Sequence, residues 1–159
     1  MTTYVAVVGA GEPDAHTAAL AEDVGRALGE RGAVLVCGGL GGVMEAACKG
    51  AKAAGGTTVG ILPGNSRAGA NAYLDVAIPT GMGEMRNALI VRAADAVIAV
   101  AGEFGTLSEI ALALLIGTPV VGLDTWELSK KGEPVDAFTR ADSPEEAVDE
   151  AMRLASSVE

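Results

Sequence analysis

Apolar residues fall in two rhythms along this chain. Short runs rich in β-branched residues occupy 4–8, 34–37, 57–62, 96–100 and 119–123, and longer stretches with helical spacing fill 14–31, 42–54, 84–94 and 106–116 between them. Runs that are apolar at nearly every position suit strands buried on both faces. Strands alternating with helices call for parallel pairing and right-handed crossovers. The pattern therefore predicts an α/β fold: one doubly wound, mainly parallel sheet with helices on both faces. No repeat or linker divides it, so residues 1–159 read as a single domain.

Two stretches break the alternation. Residues 63–79, PGNSRAGANAYLDVAIP, read as a surface loop leading to a brief extended run at 75–78. Further on, 129–134 reads as a polar turn and 135–139 as a last edge strand. Ser143 and Glu146 have the spacing of a capping box that opens a C-terminal amphipathic helix. The helix over 106–116 is the most apolar of the chain, with Leu107, Ile110, Ala111, Leu112, Ala113, Leu114, Leu115 and Ile116 covering nearly its whole circumference. The helix over 84–94 is almost as apolar. Helices of this kind are expected to be buried on all sides. Either the C-terminal helix covers them or a second copy of the chain does, and the reading carried forward is a homodimer through 84–94 and 106–116.

Composition narrows the function classes. Half of the 159 residues are hydrophobic but only five are aromatic, so Ala, Val, Leu and Ile must build the core. The 22 glycines stand beside apolar runs without a collagen-like period, which excludes a fibre or a disordered tract. A net charge of −10 repels nucleic acid and anionic membrane surfaces. No apolar run reaches the roughly 18–20 residues of a spanning helix, and no basic leader precedes the first strand, so a cytoplasmic protein is expected. Cys37 and Cys48 form neither a CxxC pair nor a zinc set and read as reduced packing thiols, with no metal site and no cofactor. The single histidine, His16, reads as solvated.

Candidate chemistry lies at three glycine-rich turns, each following a strand and opening a helix. There, bare N–H groups can meet an anion. The first runs from Gly9 through Gly11 to Asp14, with Asp14 where a dinucleotide fingerprint has its third glycine; a plain turn and a ligand contact are both open readings. The second, Gly38, Gly39, Gly41 and Gly42 followed by Met44, holds more glycine than a turn requires and points to close backbone approach by a ligand. The third holds Gly102, Glu103, Gly105 and Thr106, with Glu109 one turn into the most apolar helix, where an unpaired carboxylate is costly. Glu109 thus reads either as an N-terminal acid complementing the helix dipole or as a carboxylate facing the cleft. Arg86 sits at the start of a helix, where the dipole disfavours it, so an anionic partner is expected there.

The series Gly38-Gly-Leu-Gly-Gly-Val-Met44, Met85-Arg86-Asn87 and Ala101-Gly-Glu-Phe-Gly-Thr-Leu-Ser-Glu109 resembles, in order and spacing, the motifs of the LOG (lonely guy) family. The resemblance spans roughly 4–123. It implies a dimeric Rossmann-like fold that binds a nucleotide-like small molecule, with Asn87 and the glycine turns at the ligand and Arg86 and Glu109 as the catalytic pair. It also implies hydrolysis of the N-glycosidic bond of a nucleoside 5′-monophosphate, a phosphoribohydrolase activity. The chain is similar as well to a subgroup that includes the algal molybdenum cofactor carrier proteins, which implies the alternative of a non-catalytic binder or carrier. Two positions depart from the family pattern: Ala101 stands for its proline, which removes rigidity, and Glu103 for its second glycine, which adds a charge where phosphate is expected. The lysine decarboxylase label often given to the family does not fit. Pyridoxal chemistry needs a Schiff-base lysine, and Lys49, Lys52, Lys130 and Lys131 fall in a helix and a turn.

Overall fold

Strand β1 (Tyr4–Gly9) shows how the layers form: Val5 and Val7 are buried against one helical layer, Ala6 and Val8 against the other. The computed structural model describes residues 1–157. After β1 come α1 (Ala15–Glu30), β2 (Val34–Cys37), α2 (Val43–Ala53), β3 (Thr57–Leu62) and β4 (Val76–Pro79). A 3₁₀ turn (Gly83–Arg86) leads into α3 (Asn87–Arg92), β5 (Ala96–Val100), α4 (Phe104–Ile116) and β6 (Val120–Leu123). The chain ends with β7 (Leu128–Lys130), β8 (Glu133–Val135), β9 (Thr139–Arg140) and α5 (Pro144–Ala155).

Seven strands pair in parallel in the order β4-β3-β2-β1-β5-β6-β9, the doubly wound Rossmann-like sheet predicted. The order reverses at β1, so the crevice lies outside the carboxyl ends of β1 and β5. The final segment differs from expectation. Residues 133–135 pair antiparallel with 128–130 as a separate hairpin, and the edge strand is the two-residue β9. The helix expected over 84–94 begins as the 3₁₀ turn. At α5, Ser143 accepts from the Glu146 N–H as the spacing predicts, while the Glu146 carboxylate caps Asp142 N–H instead of closing the box on Ser143.

The two faces are covered unequally. Among the described residues, helices α1, α2 and α5 pack over one, and only α3 and α4 over the other. The C-terminal helix therefore does not shield α4, and α4 is not buried all round. Ile110 and Ala113 point to the core, while Leu115 is 81% exposed and Phe104 77%. Val76 and Ile78 of β4, in register with Val59 and Ile61 of β3, are also exposed on this side.

The covered face is tight for a different reason. Helices α1 and α2 meet through backbone: a Cβ at Gly25 would strike the carbonyl of Ala47, and one at Gly50 the carbonyl of Glu22. Glycine inside a helix costs about 1 kcal/mol against alanine, and here it allows the close contact that positions α2 and the glycine turn before it. Gly25→Ala should accordingly destabilise the fold by about 1–3 kcal/mol despite its better helix propensity, read as a lowered urea midpoint. A stability equal to or above the parent's would show that the helices can separate freely.

Candidate functional site

The three glycine turns converge on one cleft at the β1/β5 crevice. A cavity of about 240 Å³ is lined by Gly9 and Gly11 of the first turn, Gly38 and Met44 of the second, and Glu103, Gly105, Thr106 and Glu109 of the third, together with Glu84, Arg86 and Asn87. Gly39, Gly41, Gly42 and Gly102 support these turns without lining the cavity. A larger hollow of about 480 Å³ lies beside the β7–β8 hairpin, but its rim residues are mostly exposed and it encloses no buried titratable group. Volume alone does not locate the site here.

The helix starts differ in what they offer an anion. Asp14 caps α1, its carboxylate accepting from Thr17 N–H at 2.7 Å. That carboxylate occupies the position a phosphate would need, so the first turn reaches the cleft through its backbone alone. No side chain caps α2 or α4; the first N–H of α2, that of Val43, is taken by Ala10 O at 2.9 Å, whereas the first N–H groups of α4 stay open toward the crevice. At Gly42 the backbone is left-handed (φ 70°) and a Cβ would collide with the carbonyls of Ala10 and Gly11, which brings the first and second turns together. Asn71 pins the second turn from outside, donating to Leu40 O from its side chain at 3.1 Å and to Gly39 O from its backbone at 2.9 Å.

Ala101 also adopts a left-handed conformation (φ 49°), held by Thr125 Oγ1 donating to its carbonyl at 2.6 Å and by its own N–H on Leu123 O at 3.0 Å. A proline ring, locked near −65°, could not stand there. Alanine at 101 thus reflects a turn of different shape, and the expectation of lost rigidity is replaced by a strained residue at the cleft. Glu103 begins α4 with its carbonyl accepting from Trp126 Nε1 at 3.2 Å, and its exposed side chain stands at the cavity rim. No basic side chain pairs with it among the described residues; Arg67 donates to Ala77 O on β4.

Arg86 is buried, but no anion holds it. Its Nε donates to Ile61 O at 2.9 Å, Nη2 to Gly38 O at 3.4 Å and Nη1 to the Asn87 side-chain oxygen. Carbonyls at the ends of β3 and β2 supply what the sequence led us to expect from a ligand. The Asn87 amide then donates to Ser108 Oγ at 3.3 Å, and Ser108 donates to Gly105 O at 2.6 Å, which joins the guanidinium to the first turn of α4. Sequence reasoning missed Ser108 and Glu84. Ser108, three residues after Gly105 on a helix, had the spacing for this bond but no charge to mark it.

Glu109 is 8% exposed and opens onto the cavity. Burial pushes its carboxyl up to about 7, the charge of Arg86 pulls it down, and no hydrogen bond contributes. Cys37 and Cys48 are free and buried, with sulfurs 3.6 Å apart; their contact lowers the Cys37 thiol and raises that of Cys48. His16 is exposed on α1, 3.8 Å from Asp124. Among the described residues, no group of three or more His, Cys, Asp and Glu could hold a metal ion, and no helix is long and apolar enough to cross a membrane.

The raised Glu109 value fixes a stability profile. The folded state keeps this proton up to about pH 7 while the unfolded chain releases it near 4.5, so Glu109 removes stability as pH rises through that window. Glu109→Gln should stabilise the fold by about 2–3 kcal/mol at pH 8 and leave it nearly unchanged at pH 4, read from urea unfolding at both values. Equal effects at the two pH values would mean that Glu109 ionises normally.

Comparison with known proteins completes the picture. A family model described as the SLOG cluster4 family matches residues 2–148. An uncharacterised protein of Archaeoglobus fulgidus is 45% identical over 144 residues, covering 91% of each chain. The molybdenum cofactor binding protein of the phototrophic bacterium Rippkaea orientalis superposes with a TM-score of 0.87 at 33% identity, covering 97% of this chain and 98% of that one. The molybdenum cofactor carrier protein of Chlamydomonas reinhardtii superposes with a TM-score of 0.82 at 30% identity, covering 98% and 99%.

Proposed function

The chain belongs to the SLOG cluster4 family, and from that premise we propose that its cleft binds a phosphorylated small molecule of the molybdenum-cofactor type and carries it without cleaving it. The observation that supports this most is the likeness to a molybdenum cofactor binding protein and a molybdenum cofactor carrier protein along nearly the whole length of each chain. The geometry agrees. The uncapped start of α4 faces the crevice with Thr106 beside it, as an anionic group requires. Arg86 is committed to protein acceptors, so it acts as a fixed positive charge under the ligand rather than as a hand that closes on it. At about 240 Å³ the cavity is smaller than the ~300–1,000 Å³ usual for small-molecule sites. It therefore takes the anchoring part of a ligand whose remainder lies over the rim between Glu84 and Glu103.

Phosphoribohydrolase activity is the second reading, favoured by one observation: a carboxyl titrating near 7 inside the cleft has the value of a general acid or base at neutral pH. Incubation with nucleoside 5′-monophosphates, followed by chromatography for free base, separates the two. The carrier reading expects no base release, and expects mass spectrometry to find a phosphorylated, molybdenum-free or molybdenum-bearing heterocycle copurifying with the chain. Base release that vanishes in Glu109→Ala would establish the hydrolase instead.

The thinly covered face supports self-association through α3 and α4. Leu115 stands out on it, while Leu114 packs inward. Leu115→Glu should shift the assembly toward monomer in light scattering, since a charge would enter a dry contact. A parent protein that is monomeric at micromolar concentration would end the dimer proposal.

A further inference from the structure

We propose that Glu109 meets the ligand's anionic group as a neutral acid, donating its proton in a hydrogen bond, so that binding takes up one proton and weakens as pH rises. The inference rests on the binding function proposed above and concerns how a carboxylate-rich cleft accepts an anion at all.

Three features of the cleft lead there. Glu109 is more than nine-tenths buried, opens onto the cavity and has no hydrogen-bond partner within the protein. Its carboxyl oxygens are not sealed in the protein but open to the cavity, where water or a ligand can reach them. Thr106 and Glu109, three residues apart, share the cavity-facing side of α4, so the carboxyl lies one turn below the uncapped helix start where an anionic group would sit. The cavity lining holds three carboxylates, those of Glu84, Glu103 and Glu109, against the single guanidinium of Arg86, all three of whose nitrogens already donate to protein acceptors. An ionised Glu109 would add a like charge next to the incoming dianion. A carboxylic acid there contributes a donor instead, a role known for buried carboxyls kept neutral by their surroundings.

The groups facing Glu109 act in both directions. From the 3₁₀ turn, Arg86 favours the ionised form and Glu84 opposes it; from the start of α4, Glu103 opposes it; from the end of β2, the Cys37 thiol opposes it when ionised. The lining residues of β1 and the first turn, Val7 to Gly11, and Met44 of α2 bring no charge. Burial already holds the empty site's carboxyl near 7, and a bound dianion raises it further.

Calorimetry of the full chain with guanosine 5′-monophosphate between pH 6.5 and 9 tests this. The ligand's second phosphate ionisation lies near 6, so it is a dianion over the upper part of the range. The expected result is a Kd that rises about tenfold per pH unit from 7.5 to 9, with buffer-dependent heats that correspond to about one proton taken up. Glu109→Gln, which keeps a donor but cannot ionise, should bind at pH 9 within about threefold of the parent at pH 6.5 and show a flat profile. Glu84→Gln and Glu103→Gln should keep the parent's slope. A parent with flat affinity and no proton uptake would overturn the inference while leaving the binding function standing. Absence of binding by parent and Glu109→Gln at every pH would overturn the phosphate-binding function and this inference with it.

Discussion

The structure is organised around a buried cation that cannot discharge. A guanidinium stays protonated in a protein, so burying Arg86 obliges its surroundings to supply acceptors. They come from the carbonyls of Gly38 and Ile61, where β2 and β3 end, and from the side chain of Asn87. That requirement holds two strand ends and the 3₁₀ turn at one point. It also explains why the second turn is glycine at 38, since a Cβ there would press on the guanidinium and on Met44. Through Asn87 and Ser108 the same constraint reaches Gly105, so both walls of the cleft are set by one connected group of hydrogen bonds. Glu109 is then left facing the cavity with nothing in the protein to bind it.

How far this could be read from the sequence depends on what each feature leaves in the residues. The runs 34–37 and 96–100 coincide with β2 and β5 because a strand buried on both faces must be apolar throughout, and 57–62 coincides with β3 although Thr57, Thr58 and Gly60 interrupt its apolar run. The β7–β8 hairpin was missed although Lys131-Gly132 carries its signal: both residues have positive φ, as a two-residue hairpin turn needs. β9, with two residues, is too short for any period to show. For α4 the difficulty was the reverse. With apolar residues at nearly every position the pattern has no phase, and it cannot say which side meets the sheet and which meets the outside.

The candidate site was legible in its members more than in their bonds. The glycine turns, Arg86, Thr106 and Glu109 do come to one cleft, because side chains and N–H groups at the carboxyl ends of adjacent parallel strands must meet there. What the sequence hides is the backbone carbonyl. Every residue has one, so nothing marks those of Gly38 and Ile61 as partners, and a lone arginine at a helix start reads as waiting for an anion. Ala101 carries a related lesson: aligning it with a proline compares residue types, while its left-handed backbone reveals a turn that proline could not enter.

The contact between α1 and α2 limits how the cleft can work. Because Gly25 and Gly50 bring the two backbones together at Ala47 and Glu22, a slide of one helix along the other by a single residue would drive a Cβ into a carbonyl. The pair has one registry and no shear mode, unlike helices that ratchet over side-chain ridges. Any change in the width of the crevice is therefore left to the opposite wall, the 3₁₀ turn and the start of α4. The loop from Pro63 to Asp75 lines none of the cavity; it braces the second turn through the two hydrogen bonds of Asn71, and α2 is the anvil of the pocket.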